Sequence, residues 1–106
     1  MALTYRIDRF ELPVEARAEL LAAVRHTHDL LRTVDGFDHD LLVEEDAGNG
    51  RLHLLTLAAW HSTAAMAIAR DVVAADRAVT GFDPAALLDR LGVEPQFGTY
   101  RPVSGG

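Results

Sequence analysis

The side chains best suited to chemistry are concentrated in one stretch, "RHTHDLLRTVDGFDHD" (25–40), which holds three of the five histidines. Histidine and aspartate serve both as metal ligands and as acid–base pairs. The spacing disfavours a metal, because His26 and His28 are about 200° apart around a helix. In the strand that follows, His39 points to the opposite face from the two aspartates beside it. We therefore expect no metal site here, and look for a pocket instead.

The composition excludes several classes of function. The chain has 106 residues with no cysteine and no lysine, so thiolate metal sites, cysteine nucleophiles and Schiff-base lysines are absent. A net charge of −6 disfavours nucleic-acid binding, which needs clustered cations. Neither a signal peptide nor a long apolar run is visible, so we expect no membrane association and a cytoplasmic location. Because 49% of the residues are apolar, a single globular domain over residues 1–106 is expected.

The hydrophobic pattern predicts the order β-α-β-β-α-α-β. This order is typical of the ferredoxin-like split βαβ, an α+β fold in which helices cover one face of an antiparallel sheet. Asn49-Gly50 predicts a two-residue hairpin turn, and Ser62 and Asp83 predict helix N-caps. The predicted strands span 3–12, 37–46, 51–60 and 95–103, and the predicted helices span 14–34, 63–79 and the segment from Pro84 to Gly92.

The two central strands also predict a partner. They carry leucines and valines on both sides of the pleat, whereas the helices of a small domain can cover only one face of the sheet. We therefore expect a second copy of the chain to cover the other face, as a homodimer. A large ligand or a different protein is the alternative occupant.

The hairpin also predicts which side chains line a pocket. If the strands pair without interruption from the Asn49-Gly50 turn, His39 lies opposite Trp60, and Thr56 shares their face. A shift of one residue would turn His39 to the other face. The residues that we expect to line this largely apolar pocket are Phe37, His39, Leu41, Thr56, Ala58 and Trp60, with Asp8 and His28 beside them.

A more ordinary structural role is open for each of these residues. Trp60 could simply pack in the core, Asp8 could pair with a neighbouring arginine, and His28 could lie at the edge of the helix with its tip in water. We expect Arg70 and Arg77 on the outer side of the second long helix, where they would aid solubility.

Three segments resemble the antibiotic biosynthesis monooxygenase family of dimeric α+β barrels. These are "RFELP", "VDGFDHDLL" and "LLTLAAWHSTAAM", the last of which matches a strand that ends in tryptophan and leads into a serine-capped helix. The resemblance implies a homodimer with a cavity between sheet and helices, and cofactor-free oxidation of phenols, anthrones or hydroquinones by O2. Thr56 stands where quinone-forming members have asparagine, and Met66 lies near the position of their tyrosine, so we add Met66 to the pocket.

The resemblance and the pocket together suggest a cofactor-independent monooxygenase acting on an electron-rich aromatic or polyketide-type small molecule. Trp60 would stack on the substrate, His39 or His28 would accept its proton, and Thr56 would donate a hydrogen bond. The alternative is a non-catalytic dimeric module that binds a small molecule in the same cavity. Haem is not expected, because the haem-degrading branch needs a histidine late in its second helix, and this chain has none there.

Overall fold

Four strands and three helices follow one another in the predicted order. The computed structural model describes residues 2–104. The strands are β1 (Thr4–Pro13), β2 (Phe37–Gly48), β3 (Arg51–Trp60) and β4 (Glu94–Tyr100), and the helices are α1 (Arg17–Leu31), α2 (Thr63–Thr80) and α3 (Pro84–Leu91). All neighbouring strands are antiparallel, in the order β2-β3-β1-β4. The fold is therefore the α+β ferredoxin-like fold that the sequence predicts.

Short-range signals account for most element ends. Asn49 and Gly50 adopt φ angles of 55° and 71°, as the predicted hairpin turn requires. The Ser62 hydroxyl accepts a hydrogen bond from the Ala65 N–H at 3.1 Å, so it caps α2 as predicted. The first helix is shorter than predicted, because residues 14–16 form a 3₁₀ turn and α1 ends at Leu31.

The pairing of β2 with β3 differs from the predicted pairing. Gly48 lies opposite Arg51, but a bulge at Ala47 displaces the pairing of residues 39–46 by one position. His39 consequently lies opposite Ala59 instead of opposite Trp60. Because cross-strand partners share a face, this slip turns His39 away from the tryptophan.

The two faces of the sheet can now be defined. The inner face packs on α1 and α2 and carries Leu54, Thr56, Ala58 and Trp60 of β3. A second irregularity at Asp38 places Phe37 opposite Trp60, and therefore on the inner face as well. The outer face carries Tyr5, Ile7, His39, Leu41, Val43, Leu55, Leu57 and Tyr100.

The inner face is buried in two hydrophobic clusters. One joins Phe10, Leu12 and Leu54 to α1, and the other joins Trp60 to α2. The buried side of α2 carries Ala65, Met66, Ala69 and Val73. Ile68 of the same helix is 56% exposed.

Within the described residues 2–104, no layer covers the outer face. Leu41 is 52% exposed and Val43 is 44% exposed. The molecule measures only 16 Å along its shortest axis, and its radius of gyration is 14.5 Å. A compact chain of this length would have a radius of gyration of about 13 Å. The chain is thus a flat two-layer plate.

None of the helices within residues 2–104 has both the length and the apolar character needed to cross a membrane.

Candidate functional site

Two adjoining cavities lie between the inner face and the helices. They measure about 570 Å³ and about 240 Å³; the larger is lined mainly by apolar side chains, and the smaller by polar and apolar side chains in equal number. Their sizes suit a small organic ligand. The residues that line both cavities are all polar, and we call them the polar band: Arg6, Asp8, Thr27, His28, Thr56 and Arg77.

The smaller cavity is bounded by β3 and α2. Trp60 lies in its wall and is 1% exposed, beside Ala58 and Met66. The Phe37 ring packs edge-on against Trp60, with centroids 5.3 Å apart and planes at 80°. This contact fixes the orientation of the indole ring.

The larger cavity is bounded by α1, α3 and β4. Its apolar walls include Val24 of α1 and Leu87 and Leu88 of α3. Phe97 of β4 also lines it and lies under the Arg6 guanidinium, 5.2 Å from the ring centroid. From the sequence, no part of α3 or β4 was expected in the pocket.

His28 of the polar band is linked by hydrogen bonds to charged groups that lie behind the cavity wall. Its Nδ1 lies 2.9 Å from Oδ2 of Asp40, and Nη2 of Arg32 donates to the same oxygen at 2.7 Å. Burial opposes ionisation of Asp40, but hydrogen bonds from His28 and Arg32 hold the pKa of its carboxyl below the usual value. An ionised carboxylate only accepts hydrogen bonds, so Nδ1 carries the proton and Nε2 can receive one from a ligand.

The imidazole of His28 is itself enclosed. It is 6% exposed, so the structural alternative of a histidine with its tip in water is wrong. An imidazole whose Nδ1 donates to a carboxylate is the arrangement of a general base.

Asp8 is the carboxylate of the polar band. Nε of Arg6 donates to its Oδ1 at 2.6 Å, and its side chain is 21% exposed. Burial raises the pKa of Asp8, and the hydrogen bond and charge of Arg6 and the charge of His28 only partly offset this rise. Asp8 therefore combines two expected features, a place in the cavity wall and an ion pair with a neighbouring arginine. A carboxyl with a raised pKa can hold or release a proton at a lower cost than an ordinary aspartate.

Arg77 also lines both cavities, contrary to its expected place on the outer side of α2. Its Nε is buried and makes no hydrogen bond to the described residues. An unpartnered buried donor costs about 1–3 kcal/mol, more for a charged group. Met66, Arg70, Val73 and Arg77 follow a helical i, i+4, i+7, i+11 pattern and all line the smaller cavity. This pattern was visible in the sequence and could have placed both arginines.

The structure brings most, but not all, of the predicted pocket residues together. Those that line a cavity are Trp60, His28, Thr56, Asp8, Ala58 and Met66. Phe37 packs against Trp60. The placement of His39 and Leu41 in the pocket is wrong, because the bulge at Ala47 turns both to the outer face. There, Nδ1 of His39 lies 2.6 Å from Asp38.

The remaining histidines do not add to the site. His26 points outward, as expected, and hydrogen-bonds Asp76 at 2.9 Å. Within residues 2–104, no three histidine, aspartate or glutamate side chains are grouped as metal ligands would be.

Comparison with known proteins identifies the fold class. No protein-family model and no curated protein sequence matches the chain. Solved structures do match over nearly its whole length, and several of them are named as antibiotic biosynthesis monooxygenases. The resemblance seen in the sequence is therefore confirmed at the level of the fold.

Three of these structures show the range of the likeness. A proposed monooxygenase from Shewanella loihica PV-4 is 18% identical, with a TM-score of 0.68 over 97% of both chains. SnoaB from Streptomyces nogalater, a cofactor-independent oxygenase, is 17% identical, with a TM-score of 0.63 over 100% of both chains. A dimeric ferredoxin-like protein from an uncultured marine organism is 9% identical, with a TM-score of 0.67 over 100% of both chains. At such identities the likeness establishes the fold, and the reaction must be argued from the site.

Proposed function

We propose that this protein is an oxygenase that oxidises an electron-rich aromatic or polyketide-type small molecule with O2, without metal or flavin. The observation that carries the proposal is the polar band, where His28, Asp8 and Thr56 line both cavities. Such a site can take a proton from a phenol or an activated CH₂ and shield the resulting anion from water. An anion of this kind is electron-rich enough to reduce O2.

The reaction balances without a further reductant. An activated CH₂ reacts with O2 to give a carbonyl and water, so the substrate supplies all four electrons. His28 accepts the first proton at Nε2, because Asp40 holds Nδ1 in its protonated form. Thr56 donates a hydrogen bond to the developing oxyanion, and Trp60 stacks on the ring. Asp8 carries a proton to the reduced oxygen, a role that its raised pKa supports.

The proposal includes a homodimer. The outer face is a broad apolar surface, and a matched structure of the same fold is described as dimeric. Two copies packed through this face would form a dimeric α+β barrel and leave each polar band accessible from its own helical side. We also propose that residues 1–106 act as one domain and that the protein works in the cytoplasm, which cell fractionation would check.

The test is oxygen uptake by chelator-treated protein offered a panel of anthrones, hydroquinones and naphthols. We expect uptake of one O2 per carbonyl formed, and a loss of at least ten-fold in Asp8→Asn. Asp35→Asn is the matched control, because it removes an exposed carboxylate outside both cavities. No uptake by the folded protein with any compound would reject the oxygenase and favour the alternative, a non-catalytic module that binds a small molecule in the cavity.

A further inference from the structure

The charges of the two cavities are unequal. The larger cavity is lined by Arg6, Arg77, Asp8 and Asp89, two cations and two carboxylates. The smaller cavity is lined by Arg6, Arg70 and Arg77 with Asp8 as its only carboxylate. The wall beside Trp60 is therefore cationic, although the chain as a whole carries a net charge of −6.

The internal ion pairs do not neutralise this excess. Arg6 is bound to Asp8 at 2.6 Å, so these two charges satisfy each other. His28 is bound to Asp40, which lies behind the cavity wall. Within residues 2–104, no ion pair involves Arg70 or Arg77.

Arg77 is the cation of this wall that is best placed to bind an anion. Its Nε is buried and lacks a hydrogen-bond acceptor among the described residues. Arg70 lies two helical turns earlier on the same side of α2 and is exposed, at the rim of the smaller cavity. A planar guanidinium suits bidentate binding of a carboxylate.

We propose that the ligand of this cavity carries a carboxylate, which binds Arg77 from the smaller cavity while the aromatic part lies against Trp60. This deepens the proposed function by naming an aromatic carboxylic acid as the substrate class, and it rests on that function only for the aromatic part. Arg77 is then a specificity residue, and Arg70 at the rim attracts the anion before it enters.

Binding can be measured without turnover. Trp60 is the only tryptophan of the chain and lies in the wall of the smaller cavity, so its fluorescence reports on ligands there. The probes are anthraquinone-2-carboxylate and the neutral anthraquinone-2-carboxamide, which have nearly the same shape. We expect the carboxylate to bind the wild-type protein at least ten-fold more tightly, as a charge-assisted hydrogen bond at a buried site implies.

The variants locate the effect. Arg77→Met keeps the unbranched apolar stem of the side chain but removes the guanidinium and its charge, and we expect this variant to bind the two probes within about two-fold of each other. Arg25→Met is the matched control, because Arg25 is exposed on α1 and lines neither cavity. It makes the same change in net charge and should keep the ten-fold preference. Circular dichroism would verify that both variants fold.

Three outcomes would overturn the proposal. They are equal binding of the two probes by wild-type protein, an unchanged preference in Arg77→Met, and no binding of the carboxylate by folded wild-type protein. A carboxylate preference without any oxygen uptake would reject the oxygenase and leave the carboxylate site standing. Oxygen uptake without such a preference would do the reverse.

Discussion

The two faces of one sheet have opposite characters. The inner face is covered by helices, and the layer between sheet and helices holds the His28–Asp40 pair and Arg77, whose Nε has no hydrogen-bond partner among the described residues. The outer face is open, yet its centre is apolar and its histidines lie beside carboxylates at the edges. Polar groups that are enclosed and unsatisfied suit a small ligand, whereas apolar groups that are exposed suit a protein partner.

The difference shows how much depends on two irregularities in β2. Strand alternation assigns every second residue to one face, and the bulge at Ala47 reverses that assignment for most of the strand. Asp40 thereby reaches His28 on the inner face, while His39 and Leu41 move outward. Without the bulge, His39 would face the cavity and His28 would lack its carboxylate.

The largest expected effect comes from a charge placed on the outer face. Leu57 lies at the centre of this face, opposite Ile7 and Leu41, so Leu57→Glu places the charge there. Burial of one leucine contributes about 1.5–3 kcal/mol, and a symmetric interface loses it twice. We expect the dimer dissociation constant to rise by two orders of magnitude or more, measured by sedimentation equilibrium.

Val79→Glu is the matched control, because Val79 is 88% exposed on α2. It should leave the oligomeric state unchanged. A monomeric wild-type protein, or a Leu57→Glu variant as dimeric as the wild type, would contradict the assignment of this face to a second copy.

A smaller effect is expected where the inner face meets α2. Gly36 has φ +91°, and a Cβ there would lie 2.6 Å from Cβ of Ala65. Gly36→Ala should lower the free energy of unfolding by about 2–4 kcal/mol, because backbone strain and overpacking add. Gly92 also has a positive φ, +68°, but has open space around it. Gly92→Ala should therefore lower the free energy of unfolding by about 1 kcal/mol, from backbone strain alone. If urea unfolding shows the same loss of unfolding free energy in both variants, α2 moves away from the added Cβ without a measurable cost.

The smallest effect is the pH dependence contributed by Asp40. Its pKa is lower in the folded chain than its usual value of 3.8, so its contribution to stability is present above that value and is lost as the pH falls through the folded pKa. Asp40→Asn should cost about 1–3 kcal/mol at pH 7, because it leaves His28 without its charged acceptor. The difference from wild type should shrink below about pH 4. A pH-independent difference would mean that packing, not charge, is lost.

Local signals allowed most of the fold to be predicted. The turn at Asn49-Gly50 and the caps at Ser62 and Asp83 each depend on a few neighbouring residues, and each appears where expected. The bulge at Ala47 was not predicted, because strand alternation counts every residue; its local marks are Gly48 at φ 80° and the Gly48 N–H, which donates to Oδ1 of Asp46 at 2.8 Å. One unpaired backbone position was enough to misplace His39.

The site was harder to predict for a different reason. The pairing of His28 with Asp40 joins a helix to a strand and depends on the bulge. Arg77 was misplaced because an arginine in an alanine-rich helix usually faces water, although its spacing from Met66 indicated the buried side. The walls from α3 and β4 depend on how these elements pack against the rest of the chain, which hydrophobic periodicity alone does not reveal.

The most direct test compares two histidines that both lie beside an aspartate, on opposite faces of the sheet. His28→Gln changes a helix side chain that faces the inner face, and His39→Gln changes a strand side chain on the outer face. Sedimentation would verify the same oligomeric state for both. With a substrate from the aromatic panel, oxygen uptake should fall at least a hundred-fold in His28→Gln and stay within about two-fold of wild type in His39→Gln. Full activity in His28→Gln, or equal losses in the two variants, would contradict a catalytic site between the sheet and the helices.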